Sequence, residues 1–126
     1  MKIASIIARL LLGLMFLVFG LNGLLNFIPT GPLPTGHPGE FFAVMFATHY
    51  FYAVGVVMTV SAILLLINRY VALGLTFLGP VLVNILLFHL FMQPKTIGPG
   101  VFVTLLWLLV AWQHRAAVAG LFKAQL

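Results

Sequence analysis

The sequence predicts an all-α fold: a polytopic membrane protein, a bundle of four transmembrane helices with a short interfacial helical segment before the second span. Three observations predict it. Of 126 residues, 63% are hydrophobic and 6% charged, against about 25% charged in a typical soluble domain. A soluble core of this size could not hide so many apolar side chains, so the lipid bilayer must solvate them. The apolar residues also fall into runs separated by proline-rich, glycine-rich or polar connections. The whole chain, 1–126, reads as one domain.

The formal charge of +5 comes from Lys2, Arg9, Arg69, Lys95, Arg115 and Lys123 against the single acid Glu40. No dense basic patch forms, so nucleic acid is not an expected partner. Residues 10–28 make the first span, with Asn22 and Asn26 its conspicuous polar members. The basic start and apolar run resemble a signal peptide, but the run continues too far, contains Arg9 and shows no convincing cleavage site before Pro29. It is read as a retained helix. Residues 29–39, PTGPLPTGHPG, cannot continue it and form the first outer loop.

Residues 40–67 would make a straight helix of about 40 Å, too long for one upright span. They divide into a surface segment, 40–48, and a second span, 50–67, with Thr48, His49, Tyr50 and Tyr52 at the bend. Asn68, Arg69 and Tyr70 make a tight polar connection that sets the second span antiparallel to the third, 71–91. After the loop MQPKTIGPG, Pro99 is placed to begin a helix. The fourth span starts at 101 and ends among Trp112, Gln113, His114 and Arg115, with the tail extending along or out of the membrane. Five of the six cations then share the side of the termini and Lys95 alone takes the other, so both termini are expected in the cytoplasm.

Projected at about 100° per residue, Arg9, Gly13, Gly20 and Gly23 share one quadrant of the first helix, a smooth face that admits another backbone. Most other polar residues gather toward the outer membrane face. The candidate ligand-binding set is Asn22, Asn26, Glu40, Asn84 and His89, with His49 at the edge of an outward-facing pocket. Each has a structural alternative. The asparagines can be interhelical packing groups, Glu40 can complement a helix start, and His89 can reach interfacial water. Asn84 and His89 are about 140° apart on an ideal helix, so both face one pocket only if Pro80 bends the span. Trp107 and Trp112 read as packing and interfacial anchors.

Cysteine is absent, which removes disulfides and thiolate chemistry. His37, His49, His89 and His114 lack the spacing of a ligand pair, so no metal site and no intrinsic haem or iron–sulfur cofactor is expected. A quinone or lipid head group suits the pocket, with amide and imidazole groups meeting a carbonyl and Phe and Leu side chains holding the ring or tail.

The segments RLLLGLMFLVFGLNGLLNF (9–27), ATHYFYAVGVV (47–57), GPVLVNILLFHLFMQP (79–94) and AWQHR (111–115) together resemble the DoxX-like family of small bacterial membrane proteins. The resemblance spans nearly the whole chain. It implies a four-helix bundle in the bacterial cytoplasmic membrane, and an accessory or ligand-binding role in a membrane redox or oxidative-stress complex with a protein partner. Alternatives are the membrane subunit of a quinone-reducing oxidoreductase, with His89 and Glu40 moving protons and electrons supplied by another subunit, and a small-molecule transporter. Many members carry Glu or Gln in the second span, where this chain reads VMTVSA at 57–62.

Overall fold

The computed structural model describes residues 2–25 and 34–122. Among them there is no strand; the elements are α1 (Lys2–Leu25), α2 (His37–Ala47), α3 (Tyr50–Leu66), α4 (Val71–Met92), α5 (Gly98–Gln113) and α6 (Arg115–Ala119). Short 3-10 turns occupy Pro94–Thr96 and Gly120–Phe122. Two helices, α1 and α4, are each long and apolar enough to cross a membrane. The number rises to four if α2 with α3, and α5 with its continuation through Phe122, each count as one bent span. Large apolar side chains point outward along the shafts, such as Leu14 at 53% exposure and Leu105 at 58%. Such a surface suits lipid and not water, so the chain associates with membrane.

The first helix begins at Lys2, eight residues before the expected start at position 10. Tertiary structure explains the difference. Arg9 looked like a boundary cation, yet its guanidinium donates to the carbonyls of Leu65 and, at 3.5 Å, Leu66. The end of α3 therefore holds the first turns of α1 against the bundle, with Ser5 and Ala8 buried.

That end of α3 has a defined geometry. Asn68 takes a left-handed conformation (φ 57°), its N–H donates to Leu65 O at 3.3 Å, and Arg69 N–H donates to Leu64 O at 3.2 Å. This paired pattern closes a helix at a residue that tolerates positive φ, a role asparagine fills after glycine. Tyr70, also left-handed at φ 55°, then starts α4. The turn is tight enough that Gly74 lies on α3: a Cβ there would be 3.1 Å from Ser61 O. The antiparallel α3–α4 pair follows.

α1 packs on α3 and α5, and α4 packs on the same two, so the four long helices close into a ring. Its core contains Leu12 and Phe16 from α1, Ala62 and Leu65 from α3, Leu75, Leu78 and Leu82 from α4, and Val103 and Val110 from α5. The glycine face of α1 meets α3 within the same chain. A Cβ on Gly20 would stand 2.6 Å from Thr59 Oγ1 and 3.0 Å from Gly55 O, and one on Gly55 would stand 2.9 Å from Gly20 O. Backbones this close let dispersion forces act along the seam, the main source of helix attraction in lipid.

α4 runs unbroken through Pro80. Trp107 on α5 supports this segment, donating its indole N–H to Leu75 O at 3.0 Å and lying 3.9 Å from where a Gly79 Cβ would be. Trp107→Phe keeps an aromatic ring but loses the bond. The expected cost is about 1 kcal/mol, read as a lowered unfolding midpoint in detergent micelles. Trp112, by contrast, is exposed and carries Arg115 over its ring at 4.9 Å.

Both chain reversals at the ends are sharp. α2 begins at His37 rather than at 40, with Pro38 in its first turn, and meets α3 at 84°. α5 starts at Gly98 with Pro99 in its first turn, ends at Gln113, and gives way at His114 to α6 at 89°. The expected end of the fourth span at 115 therefore falls inside the next helix. The tail up to Phe122 runs across the bundle axis rather than along it.

Candidate functional site

The break between α2 and α3 is built by His49. It adopts φ 60° and ψ 19°, left-handed for a residue with a side chain, at a strain of about 1 kcal/mol or more. Local bonds offset that strain. Thr48 N–H donates to Val44 O at 3.0 Å, His49 N–H to Phe46 O at 3.2 Å, and Tyr52 N–H to His49 O at 3.1 Å. The imidazole stacks on Tyr52, ring centroids 5.2 Å apart and planes 12° from parallel. The turn thus closes α2, opens α3 and fixes His49 at the corner.

This corner faces the last turn of α1. Asn22, Gly23 and Leu24 from α1, Met45 and Phe46 from α2, and His49, Phe51 and Tyr52 line a partly open cavity of about 100 Å³. Gly23 keeps this side of the seam slightly open, since a Cβ there would be 3.7 Å from Phe51 O, an ordinary contact. Two of the candidate residues, Asn22 and His49, therefore line the same hollow.

No family model, curated protein or solved structure matches this chain.

The remaining candidates are engaged elsewhere. Glu40 lies in the first turn of α2, where a carboxylate complements the positive helix end, and pairs with His37 at 3.3 Å. Both side chains are largely exposed, so this pair adds little stability. His89 is half-buried, and its Nδ1–H donates to Ile85 O at 2.8 Å. Asn84 is exposed on α4 and donates from Nδ2 to Pro80 O at 2.9 Å. Asn26 lies outside the described residues. Among the described residues, no group of three His, Asp or Glu side chains comes together to hold a metal ion.

The structure also brings forward residues that polarity alone did not single out. Phe46 meets Phe51 at 4.8 Å between centroids, Phe42 meets Phe51 at 5.8 Å and Phe88 at 5.0 Å, and Phe41 meets Phe88 at 5.1 Å. Edge contacts between aromatic rings add to ordinary packing. This chain of rings ties α2 to α3 and α4, and its Phe46–Phe51 end forms part of the cavity wall. A sequence signal existed in the spacing of Phe41, Phe42 and Phe46 on one short helix, but phenylalanine has no contrast in so apolar a chain. A second, open groove of about 570 Å³ runs between residues 34–38 and 91–96.

Proposed function

We propose that this chain is a four-span integral membrane protein of the DoxX-like type, seated in the bacterial cytoplasmic membrane with both termini cytoplasmic. Its role is accessory: it holds a quinone or another carbonyl-bearing amphiphile for a membrane redox or stress-related complex. The bent pairs supply the second and fourth spans, and the excess of cations near the chain termini supports the orientation.

The observation that carries the ligand reading is the cavity between Asn22 and His49. Its lining combines polar Asn22, His49 and Tyr52 with apolar Leu24, Met45, Phe46 and Phe51, the mixture an amphiphile requires. Its volume of about 100 Å³ is less than the roughly 150 Å³ cavity known to accept benzene. It therefore takes the carbonyl edge of a ring or head group, while the rest of the molecule lies against the aromatic wall.

Purified protein in nanodiscs should quench or shift with a short-chain benzoquinone in a saturable titration. His49→Ala and Asn22→Leu should each raise Kd about tenfold, the loss of roughly one hydrogen bond to a polar ligand. Unchanged affinity in both variants, with unchanged helicity, would remove the cavity as the site.

A further inference from the structure

We propose that the outward face of α4 is the contact between two copies of this chain, with Asn84 of one copy paired to Asn84 of the other across a two-fold axis. Leu73, Pro80 and Leu87 run down the centre of this face at intervals of seven, flanked by Val83 and Asn84, and all five are exposed in the single chain. A sevenfold spacing on one helix is the pattern of a helix–helix seam.

Asn84 lies about 20 Å along a helix of about 33 Å, roughly 12 Å from its nearer end. Its side chain is too short to reach water from there. One amide N–H is used on Pro80 O, and among the described residues its other N–H and its Oδ1 have no partner. Lipid cannot satisfy them, and polar groups at this depth are tolerated where another protein group does. Pro80 adds to the demand, because it has no N–H for the Thr76 carbonyl, while the Thr76 hydroxyl is already committed to Ala72 O at 2.8 Å.

The other outward faces lack this feature. At comparable depth α1 exposes Leu11 and Leu14, α3 exposes Val56 and Val60, and α5 exposes Leu105 and Leu108. Each is satisfied by lipid alone.

The occupant follows from the chemistry of the group. A carboxamide carries both donor and acceptor, so it complements itself, and the face bears no charge that would select a charged partner. Two copies inserted in the same direction are related by an axis along the bilayer normal, which brings a residue at the seam against its own counterpart. Two reciprocal Nδ2–H to Oδ1 bonds then satisfy what Pro80 O leaves over.

This inference rests on α4 spanning the membrane, and the test separates the two. The chain has no cysteine, so single-cysteine variants report without background. Under mild oxidation in membranes, Leu87→Cys should form a disulfide-linked dimer and Leu105→Cys, on α5, should not. In liposomes diluted in lipid, single-molecule photobleaching should give a dimer dissociation constant that Asn84→Leu raises about tenfold and Asn84→Gln raises less. Because Asn84 is outside the core, helicity should stay unchanged in both. Monomers at every dilution, equal cross-linking from both faces, or an unaltered constant in Asn84→Leu would overturn the contact alone. Ready labelling of Leu87→Cys by a membrane-impermeant maleimide would overturn the span and the contact together.

Discussion

Gly20→Ala should destabilise the bundle by about 1–2 kcal/mol, although alanine is intrinsically the better helix residue. Intrinsic preference favours the substitution by about 1 kcal/mol, so the sign is set by what the added methyl meets. At Gly20 it meets Thr59 Oγ1 at 2.6 Å, Thr59 N at 2.9 Å and Gly55 O at 3.0 Å. A hydroxyl can turn aside; the two backbone atoms cannot move without α3. The helices must separate, and overpacking of this kind typically costs 1–3 kcal/mol. Thr59 Oγ1 is buried there without a hydrogen-bond partner among the described residues, so this hydroxyl supplies no polar bond to compensate for the lost contact. Gly23→Ala, where the nearest atom is 3.7 Å away, serves as the control and should be neutral or slightly stabilising. Reversible unfolding in mixed micelles measures both. An unchanged or raised midpoint for Gly20→Ala would mean that α1 and α3 stand farther apart than described.

Arg9→Met should cost about 2–3 kcal/mol for a different reason. The half-buried guanidinium donates to the Leu65 and Leu66 carbonyls at the end of α3, where a helix has unsatisfied acceptors and a partial negative charge. A hydrogen bond to a charged group contributes about 1.5–3 kcal/mol, the 3.5 Å contact to Leu66 O adds little to the bond to Leu65 O, and methionine keeps the apolar stem while removing both. Arg9→Lys retains the charge without the planar fork, so it should recover only part of the loss. The same unfolding experiment reads this, and amide exchange adds location: protection should fall first in the opening turns of α1. Wild-type stability in Arg9→Met would show that the contact contributes nothing.

These two residues also show how far sequence reasoning reached. Periodicity placed Arg9 and the glycines on one face of α1, because helical spacing is a property of the segment alone. It could not name the opposing surface, since Gly55 and Thr59 lie in an apolar run with little contrast. The start at Lys2 was missed for a related reason. A hydropathy reading ends a span at a cation, whereas Arg9 is kept inside the helix by carbonyls 56 and 57 positions away.

The site was legible in part. Excess length and a cluster of aromatic and polar residues marked the bend at His49, but its left-handed backbone and the 84° angle come from local hydrogen bonds that composition does not encode. Asn22 and His49 line one cavity. Glu40, Asn84 and His89 carried the same signal of polarity in an apolar setting, and each finds a partner within four residues: His37, Pro80 O and Ile85 O. Such local pairing lets a polar side chain sit on a helix without pointing into a common pocket.

The two right-angle corners give the bundle uneven legs. α1 and α4, with 24 and 22 residues, are about 36 and 33 Å long, whereas α3 and α5, with 17 and 16, are about 25 and 24 Å. The short legs stand diagonally across the ring, and each ends in a transverse foot, α2 before α3 and α6 after α5. With all four legs crossing the membrane, as proposed, a bilayer core of about 30 Å would dip toward one foot on one leaflet and toward the other foot on the opposite leaflet. The molecule would then act as a small wedge that warps its surrounding lipid, and its insertion would favour thinner membranes.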